Sequence, residues 1–147
     1  MLSQTVGYAA TALGCIATMG GKPTLVKEVA ENCDIPPAYL SKIIHALARK
    51  GLVQTQRGVG GGVCLARPPQ QISLYELCVS LDDPIIARRC LLGAADCSDD
   101  FGCPAHRFWG AHRDKLIEFL RQTTVADVAA FEIRRLWRRQ HPRAENS

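Results

Sequence analysis

The chain is expected to be mostly α-helical with one small β-hairpin, and three observations predict it. Apolar residues recur at the spacing of an amphipathic helix in several separate stretches. Two short β-prone runs, 52–56 and 63–66, flank the glycine-rich turn Gly58-Val59-Gly60-Gly61-Gly62. A helix, a tight break at Cys33-Asp34-Ile35-Pro36 and a second helix stand directly before that hairpin. With 147 residues, 47% apolar and 22% charged, the chain suits one compact domain plus an appended arm. The same figures exclude disordered, collagen-like and low-complexity classes.

The elements follow in order. Ser3 is placed to cap a first helix whose Val6, Ala9, Ala10, Leu13, Ile16 and Ala17 form an apolar stripe, and Gly20-Gly21 ends it. Pro23-Thr24 opens a short helix with Leu25, Val26, Val29 and Ala30 on one side. Pro37 suits the first turn of a third helix, because its missing N–H is not needed there. That helix, 37–50, turns Leu40, Ile43, Ile44 and Leu47 inward. Ser41, Lys42, His45 and Arg49 share the opposite face, and Gly51 closes it. Helix, short turn, helix with a polar outer face is a helix-turn-helix, and a hairpin after one is a wing, here with Arg57 at its base.

Beyond the wing, Ser73 with Glu76 reads as a capping box, and Ile72 with Leu77 as a hydrophobic staple, for a helix reaching about Leu81. Asp82-Asp83-Pro84 stops it. From there to Gly102 nothing is periodic, and such a segment is usually functional or held by something else. Pro104 restarts a long helix over 104–122. Its Ala105, Trp109, His112, Leu116 and Phe119 alternate spacings of four and three, a coiled-coil-like seam expected to pair with its twin. Thr124 caps a last amphipathic helix, and Arg134, Arg135, Arg138 and Arg139 crowd its end as a solvated basic tail.

The formal net charge is +4, but its placement says more. Residues 35–75 hold five Lys or Arg and no carboxylate, a candidate polyanion surface, and an acidic segment follows at once. The first 21 residues carry no charge. Still, no cation precedes Lys22, and Gln4, Thr5, Gly7, Thr11 and Gly14 interrupt the apolar run. Neither a secretory signal nor a membrane span is predicted, and a cytoplasmic protein is expected.

Seven cysteines, an odd number, argue against a disulfide framework and for reduced thiols. Cys15, Cys33, Cys64 and Cys78 lie among apolar residues and read as small hydrophobes. Cys90, Cys97 and Cys103 cluster in polar, glycine-containing sequence, with six and five residues between them. That spacing matches neither the close pairs of structural zinc nor the common ferredoxins, and by itself supports a metal or redox site held by a loop. Cys103 is expected at the N-cap of the helix that Pro104 opens, where the dipole stabilises a thiolate, with His106 facing the same site. A thiol oxidoreductase would want a Cys-x-x-Cys pair near a βαβ pattern; neither is present, so no enzyme is expected.

Across residues 1 to about 130 the sequence resembles the Rrf2 family of bacterial winged-helix regulators, which includes IscR-type and NsrR-type members. The resemblance is carried by Tyr8-Ala9, Tyr39-Leu40, Leu47-Ala48-Arg49-Lys50-Gly51-Leu52-Val53, Arg57-Gly58-Val59-Gly60-Gly61-Gly62, the three-cysteine loop, His106 and Trp109. It implies a 2Fe–2S or 4Fe–4S cluster held by Cys90, Cys97 and Cys103. IscR-like members use as fourth ligand a His three residues after the last Cys, here His106. Some sensors instead take an acid from the partner's first helix, at the position that is Gly7 here. The six-residue first gap resembles NsrR-type members.

The function expected on this basis is a DNA-binding transcriptional regulator controlled by an iron–sulfur cluster that senses iron, redox or nitric oxide. A cluster-independent winged-helix regulator with structural or zinc-bound cysteines is the alternative. The expected organisation is a winged helix-turn-helix over 1–81, a cluster loop over 82–103, a dimerisation helix over 104–122 and a C-terminal helix with basic tail over 123–147. A homodimer would place two recognition helices in successive major grooves of a roughly palindromic double-stranded site. Lys42, His45, Arg49 and Lys50 are candidates for phosphate contact, Ser41 and Lys42 for base edges, and Arg57 with the wing glycines Gly58 and Gly60 for the minor groove.

Overall fold

A computed structural model describes residues 1–87, 89–92 and 103–142. In chain order the elements are α1 (Gln4–Ala17), α2 (Val26–Cys33), α3 (Pro37–Arg49), β1 (Val53–Gln56), β2 (Gly62–Leu65), α4 (Leu74–Ser80), α5 (His106–Gln122) and α6 (Val125–Gln140). Single 3-10 turns at Pro69–Gln71 and Pro84–Ile86 punctuate the connections. The two strands form an antiparallel hairpin in which Val53 faces Leu65 and Gln56 faces Gly62.

Helix α1 is the centre of the core. Ser3 caps it, its side chain accepting from the Val6 N–H, and Val6, Ala9, Ala12 and Leu13 are fully buried. The helix ends at Ala17, earlier than the Gly20-Gly21 boundary read from the sequence; Thr18 closes it with its own N–H and hydroxyl on the Cys15 carbonyl. Helix α6 lies along α1 and meets it at Gly14, where an added Cβ would stand 2.7 Å from Val128 Cγ1. Gly14→Ala gains about 1 kcal/mol of helix propensity, yet overpacking a close helix crossing costs about 1–3 kcal/mol. Thermal unfolding is therefore expected to show a net loss of stability for this variant, and a gain would mean that α6 does not sit on α1.

The second helix starts later than expected, at Val26. Thr24 does not open it; instead its N–H and C=O bond the C=O and N–H of Val63 at 3.0 and 2.8 Å, adding a one-residue third strand to the wing. Helix α3 begins at Pro37 as its sequence requires, with Leu40, Ile43, Ile44 and Leu47 buried, and Gly51 leaves it at φ 75°. Helix α4 is capped by Ser73, whose hydroxyl accepts from Glu76 N. The Glu76 carboxylate, however, pairs with Arg67 rather than returning to the cap.

Asp82 leaves α4 in the left-handed region (φ 52°), and the buried Asp83 accepts hydrogen bonds of 2.8 Å from both Ser3 N and Ile85 N. This carboxylate ties the start of α1 to the end of α4. Burial raises its pKa, but the two backbone donors outweigh burial and hold it below the ordinary carboxylate value. A depressed carboxylate contributes stability above its unfolded pKa and loses it as pH falls through the folded value. Asp83→Asn is expected to cost about 1–3 kcal/mol at neutral pH. The variant should also lose less stability than wild type on acidification below the carboxylate range; parallel Tm-against-pH curves would refute this role.

The long helix differs from its sequence reading at both ends of the argument. Residues 103–106 form a turn closed by His106 N–H on the Cys103 carbonyl at 3.1 Å, and α5 begins at His106 with Ala105 as a cap that lends no side chain. Cys103 therefore stands outside the helix rather than at its N-cap, because the fixed φ of Pro104 favours the second position of a turn. The expected seam is split. Leu116 packs on the core beside fully buried Leu120, whereas Phe119 and, outside the seam, Phe108 remain exposed at 56% and 68%. The strand-like link after α5 explains the inward half: Leu74 N–H bonds the Thr123 carbonyl and Val125 N–H the Ile72 carbonyl, pulling the end of α5 against α4.

Nor is the basic end of α6 all solvated. Arg135 and Arg139 both donate to the Asn32 carbonyl at the end of α2, Arg135 also bonds buried Glu132 at 2.7 Å, and Arg139 pairs with Asp34. These cations serve the packing of α6 on α1 and α2.

Candidate nucleic-acid interface and cysteine loop

The outer face of α3 is presented by what its inner face does. Four aliphatic side chains bury the helix against α1 and α2, and this turns Ser41, Lys42, His45, Arg49 and Lys50 outward, all exposed. Tyr39 fixes the helix in rotation: its hydroxyl bonds Thr5 on α1, and its ring meets Tyr8 edge-on with centroids 5.6 Å apart. Sequence reading missed this positioning role. A tyrosine on each of two adjacent helices was its only local trace.

The wing is built by backbone demands. Its tip turns through Gly58 at φ 92° and Gly60 at φ 76°, and Gly61 N–H closes the turn on the Gly58 carbonyl at 3.0 Å. Gly62 is needed for a different reason: a Cβ there would lie 2.4 Å from the Thr24 carbonyl oxygen, at the bridge that holds the hairpin to the core. Arg57, Gly58, Val59 and Gly60 are all exposed.

Of the five cations between residues 35 and 75, Arg67 is neutralised by Glu76. Lys42, Arg49, Lys50 and Arg57 have no ion-pair partner among the described residues. Unpaired, exposed cations on a protruding helix and its wing make a surface suited to a polyanion.

Cys90, Cys103 and His106 are each half-buried. Trp109 Nε1 donates to the Arg89 carbonyl at 2.9 Å, which fastens the residue before Cys90 to the first turn of α5, where His106 lies. Cys97 lies outside the described residues, and among those described no group of three His, Cys, Asp or Glu is close enough to hold a metal. The cysteine donors are thus brought toward α5 from both sides of the loop, with imidazole at the helix start. Thiolate and imidazole are the donors that iron–sulfur clusters take. No described helix is long and apolar enough to cross a membrane.

Over residues 2–130 the chain matches the Rrf2 family, described as iron-dependent transcriptional regulators. It is 32% identical over 126 residues to the HTH-type transcriptional regulator IscR of Sodalis glossinidius, covering 85% of this chain and 76% of that protein. Among solved structures it is similar to CymR, the global cysteine regulator of B. subtilis, with a TM-score of 0.75 and 28% identity across 89% of this chain and 97% of that one. It is likewise similar to T. potens IscR, with a TM-score of 0.70 and 26% identity across 89% and 87% of the two chains.

Proposed function

Because this chain belongs to the Rrf2 family of transcriptional regulators and is not an enzyme, we propose that it reads a double-stranded operator under the control of an iron–sulfur cluster. The observation that carries the reading is the set of four unpaired cations on α3 and the wing. Lys42, His45, Arg49 and Lys50 contact phosphates, Ser41 and Lys42 reach base edges, and Arg57 enters the minor groove with Gly58 and Gly60 giving the wing its close approach. A homodimer formed through the outward side of the 104–122 helix, where Phe108 and Phe119 are exposed, sets two such heads on a pseudo-palindrome. Its half-site centres lie about 34–36 Å apart.

Residues 1–81 read DNA in the cytoplasm, 82–103 form the cluster loop, and 123–147 brace the first module through α6. Cys90, Cys97, Cys103 and His106 are the ligands proposed for a 2Fe–2S or 4Fe–4S cluster. Gly7, lacking a carboxylate, supports His106 as the fourth. When bound, such a cluster makes the loop's structure depend on iron supply, redox state or nitric oxide. The loop joins α4 to α5, so its state bears on how the heads are spaced.

A second reading, regulation without a cluster, is favoured by the likeness to CymR. One experiment separates the two. Protein purified without oxygen is analysed for iron, sulfide and visible absorption, then, with and without the cluster, is used to select sites from genomic DNA. Coloured protein whose selected sites depend on the cluster supports the first reading. Colourless protein that selects two-half-site DNA supports the second, and absence of sequence-selective binding in every state refutes both.

A further inference from the structure

Two thiols outside the loop lie side by side. Cys15 on α1 is 2% exposed and Cys33, the last residue of α2, is 8% exposed, and their sulfurs are 2.8 Å apart. That is well inside the contact distance of two sulfurs that merely pack. It is also too short for a shared metal, since metal–sulfur bonds of about 2.3 Å in tetrahedral geometry set two thiolates about 3.8 Å apart. The surroundings are polar for a core. Cys15 Sγ is 3.8 Å from Glu132 Oε2, Cys33 Sγ is 3.9 Å from the Thr11 carbonyl, and Glu132, 2% exposed, is held by Arg135, which also caps the Asn32 carbonyl.

We propose that Cys15 and Cys33 are an oxidisable dithiol, converted by a hydroperoxide into a disulfide that staples α1 to the end of α2. The Cys33 S–H bond to Cys15 holds the Cys15 thiol below its ordinary range, against burial and the Glu132 charge; the same bond, with burial, pushes Cys33 up. One sulfur is thereby prepared as the thiolate and the other as its proton-bearing partner. Glu132 lies where the Cys15 proton can leave.

The chemistry balances with hydrogen peroxide as oxidant. The Cys15 thiolate attacks one peroxide oxygen, the O–O bond breaks, and Cys15 becomes a sulfenic acid with release of hydroxide. The Cys33 thiol then attacks that sulfur, forming the S–S bond and releasing water. Two thiols lose two electrons and two protons, and peroxide with those protons becomes two waters. Burial slows the first step without preventing it for an oxidant of water size. The product locks α2 at the residue that precedes the Asp34-Ile35-Pro36 turn into α3. None of this requires the loop cysteines or a cluster.

The test uses the full chain, reduced and then treated with a small excess of hydrogen peroxide, alkylated with N-ethylmaleimide and digested with trypsin. Cleavage after Lys27 separates Cys15 from Cys33. The expected product is peptide 1–27 joined to 28–42, two hydrogens lighter than their sum, absent after reduction and absent in Cys33→Ala. Recovery of both thiols fully alkylated while peroxide is consumed elsewhere would overturn the proposal, as would Cys15 or Cys33 joined to a loop cysteine. Because peptide mapping of wild type decides the matter, a variant that fails to fold does not leave it open.

Discussion

Cys90→Ala, Cys97→Ala and Cys103→Ala, each reconstituted without oxygen, are expected to lose the visible absorption and the stoichiometric iron and sulfide of wild type. A cluster missing one of three thiolates is left open to solvent and to attack, so the loss should be nearly complete for each. His106 should behave differently. A neutral imidazole in place of a thiolate leaves a cluster less negative and raises its potential, so His106→Cys should keep a cluster at a lower potential, whereas His106→Ala should give a labile one. Redox titration and air-decay of the absorption check both statements. Matching content, potential and stability in the two His106 variants would remove it as ligand and direct the search to an acid such as Asp96 or Asp99. Full iron and sulfide in all three cysteine variants would remove the loop itself.

What the sequence made legible follows the range of the interactions concerned. Helix α3 was readable to the residue at its start because Pro37, the Leu40/Ile43/Ile44/Leu47 stripe and Gly51 are all local signals. The wing was readable because glycine turns announce themselves. Thr24 was assigned to a helix because its true partner, Val63, is distant in the chain. Cys103 was misplaced by two residues for a subtler reason: Pro104 suits both a helix start and a turn, and the Cys103–His106 turn took it.

The seam on 104–122 looked uniform as a pattern, yet Leu116 and Phe119 ended on different sides of the interface between α5 and its own core. The α6 arginines illustrate the same limit, since only the fold brings Asn32 and Asp34 to them. Cys15 and Cys33, read as separate small hydrophobes, touch because two helices cross, and no periodicity encodes a crossing. The DNA-facing residues were visible as a charge pattern. That they are unpaired was not, because the pairing of Arg67 with Glu76 had to be seen first.

The unpaired set makes the strongest energetic claim about the surface. Removing Lys42, Arg49, Lys50 and Arg57 together is expected to weaken operator binding by roughly three to four orders of magnitude at about 0.1 M salt, since each phosphate contact contributes about 0.9 decade per decade of salt. The slope of log affinity against log salt should become shallower by about one unit for Lys42→Ala and by up to about four for the quadruple variant. All four side chains are exposed, so folding stability should stay within about 0.5 kcal/mol per substitution, and circular dichroism with thermal unfolding checks that the loss is not unfolding. Sequence preference adds a second signature. Loss of a phosphate contact weakens all sequences alike, whereas Ser41→Ala, with no charge removed, should leave the salt slope unchanged and alter discrimination at one base position. An unchanged slope in the quadruple variant would mean that DNA approaches some other face, and the two-groove dimer geometry would fall with it.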